Sequence, residues 1–195
     1  MGDKVLKLIK EDAVLVGIDF QDKLMPAINN NEELQDTVVK LIKGCRILGV
    51  PIIMTQQYTK GLGETVSAIA SALNEDLGDI PESEGFQIIE KTSFSAMGEP
   101  TFIQALEKLC KKTVIIAGVE AHVCVQQTVI DLLDKGYTVF VAYDCISSRK
   151  NEDMKIAQRR MRDAGAFCTT YESILFELLK GSKEPGFKQI SALVK

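Results

Sequence analysis

The chain has 195 residues, 46% of them hydrophobic and 26% charged, with a formal net charge of −4. That length fits a single domain over residues 1–195 with a substantial core, and that content excludes a disordered or low-complexity chain. The charge pattern argues against a nucleic-acid partner: the densest basic cluster, Arg159-Arg160-Met161-Arg162, runs into Asp163 and reads as a solvated helix face.

In chain order, residues 1–10 carry lysines throughout and no apolar h-region, so no secretory signal is expected. Leu6 stands where a myristoylation motif after Gly2 wants Ser or Thr. Ala13 to Phe20 is a short, nearly continuous apolar run, the pattern of a strand buried on both faces. Over residues 32–49, Leu34, Val38, Leu41, Ile42, Cys45 and Leu48 recur at helical spacing, and Gly49 closes the helix. Pro51 to Thr55 opens the next strand. Residues 57–86, rich in Gly, Ser, Glu and Asp, are expected to form a loop and helix over the sheet edge. Further strands follow at 86–90, 113–118, 137–141 and 166–169, with helices at 101–110, 123–134, 152–164 and 171–180. The tail 181–195, with Gly181, Pro185 and Gly186, is expected to reach a partner subunit.

Strands alternating with helices of ten or more residues mean parallel βαβ units. The predicted fold class is α/β: three layers, α/β/α, around a six-stranded, parallel, doubly wound sheet. No apolar run approaches the ~18 residues of a membrane span, so no membrane partner is expected. The five cysteines, at 45, 110, 124, 145 and 168, make an odd count with no CxxC pair, which points to a reducing cytoplasm.

Several common sites fail on inspection. There is no P-loop and no GxSxG elbow. Lys60-Gly61-Leu62-Gly63-Glu64-Thr65-Val66 starts like a dinucleotide fingerprint but has Val66 at the third glycine. His122 is the only histidine, so no two-histidine metal site fits within one chain.

In a doubly wound sheet, ligands bind beyond the carboxyl ends of the strands. Asp19, Lys91 and Cys124 each sit where a different strand ends or a helix begins. Singly, each has an ordinary alternative: a cap or turn residue, a solvated lysine, a small core thiol. Jointly they suit nucleophilic chemistry. A thiol at a helix N-terminus is favoured as thiolate, a nearby carboxylate takes its proton, and a lysine orients that carboxylate.

The stretches Val16-Gly17-Ile18-Asp19-Phe20-Gln21, Glu90-Lys91 before Ser93-Phe94-Ser95-Ala96, and Ile116 to Val125 with Thr128 following resemble the isochorismatase-like cysteine hydrolase superfamily. So do Tyr143 to Arg149 and Met161 to Ala166. The resemblance covers nearly the whole chain and is closest to the eukaryotic-type isochorismatase-domain proteins. It implies Cys124 as nucleophile, Asp19 as base, and Lys91 holding Asp19 and steadying developing charge. It implies a cis peptide at Val119–Glu120 and an oxyanion hole from the backbone N–H groups of Glu120 and Cys124. Phe20, Gln21, Tyr58, Phe94, His122 and Val123 would contact substrate, although His122 also suits a structural hydrogen bond and Phe94 a plain core position.

The implied reaction is hydrolysis of a small amide through a thioester. Nicotinamidases of this family carry a metal site after strand 2, where this chain has Gln56-Gln57-Tyr58-Thr59-Lys60 without histidine. No metal and no other cofactor is therefore expected, and nicotinamidase activity is not. With no arginine expected in the cleft, nothing points to isochorismate either. Family members are commonly oligomeric, so a homo-oligomer is expected. The competing reading is a catalytically silent or redox-responsive protein that acts through partner binding or assembly.

Overall fold

The computed structural model describes residues 7–77 and 85–195. The chain's apolar strands fix its architecture by alternation. In β1 (Ala13–Ile18), Val14, Val16 and Ile18 face one layer while Ala13 and Leu15 face the other, all 0–1% exposed. β4 (Thr113–Gly118) and β5 (Thr138–Ile146) divide in the same way: Val114, Ile116, Val139 and Val141 on one side, Ile115, Ala117, Phe140 and Ala142 on the other. A strand that is apolar on both faces needs helices on both faces.

Those helices are present. α1 (Asn31–Ile47), α3 (Ser67–Asn74), α7 (Tyr171–Leu179) and α8 (Phe187–Leu193) fill one layer, through residues such as Leu41, Ile69, Leu175 and Ile190. α4 (Pro100–Lys108), α5 (Gln126–Asp134) and α6 (Asn151–Asp163) fill the other, through Phe102, Val129 and Met161. With β2 (Ile52–Gln57), β3 (Phe86–Lys91) and β6 (Phe167–Thr169), the strands form a six-stranded parallel sheet in the order β3-β2-β1-β4-β5-β6. This is the three-layer α/β/α arrangement that the alternation of elements predicts. The strand order reverses between β1 and β4, which opens a crevice at their carboxyl ends.

Two expectations, the single helix after β2 and the end of β5, need correction. The segment after β2 holds two short helices, α2 (Thr59–Leu62) and α3, rather than one. α3 packs in the α1 layer: Ile69, Ala72 and Leu73 are buried there, and Arg46 on α1 donates to the Ala72 carbonyl at 2.9 Å. The rest of that expectation, at 78–84, lies outside the described residues. Within the chain, the tail packs α8 against α1 and α7 with Ile190 fully buried, which leaves contact with a partner subunit as an expectation. β5 runs past 141 to Ile146 and so includes Asp144, because its pairing with β4 is irregular: a step of two residues from Ile116 to Gly118 is matched by five from Val141 to Ile146. Among the described residues, no helix is long and apolar enough to cross a membrane.

Candidate active site

Asp19 follows directly on β1 and takes a left-handed conformation, φ +56°, which a short polar side chain tolerates better than most. The carboxylate is fully buried and held from two sides. Thr55 Oγ1 donates to Oδ1 at 2.7 Å and Lys91 Nζ donates to Oδ2 at 2.8 Å. Both partners follow from strand register: Thr55 pairs with Ile18, and Lys91 pairs with Gln57 one strand further out.

Lys91 is almost wholly buried, which an ammonium tolerates only when its donors are used. Besides Asp19, its Nζ lies within hydrogen-bond distance of Gln57 Oε1 (2.7 Å) and of the Ser93 and Phe94 carbonyls (3.1 Å each). Four acceptors surround three protons. These bonds fix the ammonium against Asp19, and its charge also acts on the neighbouring Cys124 thiol.

Cys124 lies in a wide, π-helical turn, Ala121–Val125, that precedes α5. The helix expected to begin at Val123 therefore starts as this turn, with α5 proper opening at Gln126. Burial, and then the negative Asp19 carboxylate beside it, push the Cys124 thiol up to about 12, against a smaller downward pull from Lys91. Desolvation and the adjacent carboxylate thus work against the thiolate that the helix terminus alone would favour.

The Val119–Glu120 peptide is cis. The Glu120 N–H donates to no acceptor among the described residues, while its carbonyl takes bonds from Val123 and Val125. Gly118, at φ +151°, lets β4 approach β1 here. A Cβ at that position would sit 2.7 Å from the Ile18 carbonyl oxygen and 2.5 Å from the Ile18 Cβ.

The remaining site residues divide. Tyr58 (52% exposed) and Phe94 (56%) are open to solvent, so Phe94 is not a core residue. His122 and Val123 are half-buried on the Cys124 turn, and His122 Nδ1 lies 2.9 Å from Ser148 Oγ. Two expectations of substrate contact do not survive. Phe20 is fully buried in the α1-side core. Gln21 is also fully buried, and its amide is spent on the backbone: Nε2 donates to the Gln57 and Gly63 carbonyls, and Oε1 accepts from the Gln57 N–H.

Sequence reasoning missed three contributors. Thr55 and Gln57 hold the Asp19–Lys91 pair, and strand register was the signal for both. Arg149 was the third: its backbone N–H and its Nε both donate to Glu120 Oε2 at 3.0 Å. An arginine therefore pairs with the side chain of Glu120, with most of its own side chain in solvent. Its only signal was its place at the end of the Tyr143 to Arg149 stretch. Among the described residues, no group of three His, Cys, Asp or Glu side chains is arranged to hold a metal ion.

Residues 13–173 match the isochorismatase domain. Over 188 residues the chain is 35% identical to isochorismatase domain-containing protein 2 of Danio rerio, covering 96% of this chain and 89% of that protein. Its structure is similar to that of MAR1 ribonuclease from Caenorhabditis elegans, with a TM-score of 0.86 and 37% identity over 97% of this chain and 92% of that one. The fold is shared with the Escherichia coli YcaC gene product, described as an octameric hydrolase of unknown specificity, at a TM-score of 0.82 and 24% identity over 91% and 84% of the two chains.

Proposed function

The chain belongs to the isochorismatase family, a family of hydrolases, and on that premise we propose that it is a metal-independent cysteine hydrolase of a small molecule, cleaving an amide-type C–N bond through a thioester on Cys124. The observation that carries this reading is a buried Cys124 thiol beside an Asp19 carboxylate that Lys91 and Thr55 hold in place.

In the proposed reaction the thiol proton passes to Asp19 as sulfur attacks the carbonyl carbon. The oxyanion forms against the N–H groups of Glu120 and Cys124, and the unpartnered Glu120 N–H supports that assignment. Asp19 returns its proton to the departing nitrogen, which leaves the thioester. Asp19 then takes a proton from water, water attacks, the acid departs, and Cys124 regains its proton. Tyr58, Phe94, His122 and Val123 would meet the substrate around this centre.

The test is alkylation of Cys124 by iodoacetamide, followed by mass spectrometry in wild type and Asp19→Asn. The sign of the change decides. If Asp19 is only a neighbouring charge, removing it lowers the thiol's pKa and speeds labelling. If Asp19 is the base, removing it slows labelling at neutral pH. Faster labelling in Asp19→Asn overturns the reading, as does wild-type labelling slower than that of exposed Cys110 and Cys168. The name of the C. elegans protein raises RNA cleavage as a rival. A labelled RNA stays intact under the present reading, and cleavage that disappears in Cys124→Ala overturns it.

We also infer a homo-oligomer in the cytoplasm. Ile88 on edge strand β3 (45% exposed) and Ile156 on α6 (53%) are apolar side chains that a second copy would cover, and an octameric hydrolase shares the fold.

A further inference from the structure

We propose that Thr128, assisted by Asp131, is a positioning residue that joins the Cys124 turn to the loop gripping Lys91, so that nucleophile, base and lysine hold their spacing as one unit. The proposal rests on the reading of Cys124 as nucleophile. Thr128 is fully buried on α5, and both functions of its hydroxyl are used. Oγ1 donates to the Cys124 carbonyl at 2.7 Å and accepts from the Ala96 N–H at 2.9 Å. The first bond alone is ordinary, since helical threonines commonly bond back to the carbonyl four residues earlier. The second is not local: it reaches 32 residues back along the chain.

Ala96 ends the loop whose Ser93 and Phe94 carbonyls accept from Lys91. One turn further along the same face of α5, Asp131 Oδ2 accepts from Ser95 Oγ at 2.6 Å. Ser95 Oγ in turn accepts from the Met97 N–H, and Ser93 Oγ donates to the Ser95 carbonyl at 2.8 Å. The contacts close a circuit. It runs from the Cys124 carbonyl through Thr128 to Ala96, back along the loop to Lys91 and on to Asp19, whose charge acts on the Cys124 thiol. Lys91 sets where Asp19 sits, the loop sets where Lys91 sits, and Thr128 sets that loop against the turn carrying the sulfur. Loosening such a geometry by about 1 Å costs up to roughly a hundredfold in rate. Replacing the hydroxyl by a methyl also leaves a buried N–H and a buried carbonyl without this partner.

The experiment measures the Asp19-dependent part of Cys124 alkylation on the full chain, defined as the wild-type rate minus that of Asp19→Asn, from pH 6 to 10. Thr128→Val, Thr128→Ser and Ser95→Ala are compared, with thermal unfolding alongside. Thr128→Val is expected to lower this component at neutral pH by roughly tenfold or more. Thr128→Ser, which keeps the hydroxyl, should stay within about twofold of wild type, and labelling of Cys110 and Cys168 should not change. A component undiminished in Thr128→Val, or equally diminished in Thr128→Ser, overturns the proposal. If Thr128→Val does not fold, Ser95→Ala decides, because it cuts only the Asp131 arm. A loss of roughly threefold or more supports the circuit, and an unchanged rate overturns it. The two readings fail separately. Asp19-dependent labelling in wild type that all variants retain removes only the clamp, whereas none in wild type removes the nucleophile and the clamp with it.

Discussion

Two ion pairs adjoin the Cys124 turn at nearly the same distance and in opposite surroundings. Lys91–Asp19 spans 2.8 Å with neither side chain exposed; Arg149–Glu120 spans 3.0 Å with 64% of the arginine side chain in solvent. Water and salt screen the second, and its partners are well hydrated if it opens. The first is intelligible only through its hydrogen bonds, because two buried charges repay their desolvation only when every donor and lone pair finds a partner. Thr55, Gln57 and the Ser93 and Phe94 carbonyls are those partners. Distance alone therefore says little about what an ion pair contributes; its surroundings decide.

Breaking the buried pair should produce the largest effect. Lys91→Met strands the Asp19 carboxylate without a counter-charge and should lower unfolding stability by about 3–5 kcal/mol, read by urea titration. The double variant Asp19→Asn/Lys91→Met removes both charges and should recover most of that loss. A single variant within about 1 kcal/mol of wild type would mean that the pair behaves as a surface pair.

An intermediate effect comes from the buried thiols on the same side of the comparison. Burial pushes Cys45 up to about 12, and burial with Asp19 does the same to Cys124, against 9.0 for a free thiol. The unfolded chain releases these protons near pH 9 and the folded chain only near 12. The stabilisation is complete below pH 9 and is lost as pH rises toward 12, at about 1.4 kcal/mol per pH unit for each thiol. Urea titrations at pH 8.5, 9.5 and 10.5 should show the decline, and Cys45→Ala should make it shallower. A flat profile across that window would show that the thiols are not desolvated. The smallest effect belongs to the exposed pair: Arg149→Ala should change stability by no more than about 1 kcal/mol, and by less still in 1 M salt. A larger loss would place that pair with the buried one.

Much of this was legible in the sequence. The two-sided apolar runs of β1 and β4 give a buried parallel sheet, and that sheet gives a site at its carboxyl ends, where Asp19, Lys91 and Cys124 already stood. Other features were not legible, because they depend on what lies across from each residue. Phe20 and Gln21 adjoin Asp19 in sequence yet point into the core and into backbone bonds. Arg149 is far from Glu120 along the chain and meets it because β5 runs on to Ile146 through its irregular pairing with β4.

The sequence by itself determined the layers, the strand ends and which chemical groups occupy them, since periodicity and residue type are local properties of the chain. The tertiary structure decided the state of those groups. It buried the Lys91 ammonium among four acceptors, set the Cys124 thiol beside the Asp19 carboxylate, and made Thr128 a link between the Cys124 turn and the loop around Lys91. Desolvation and hydrogen-bond saturation depend on everything packed around a group, and only folding brings those neighbours together.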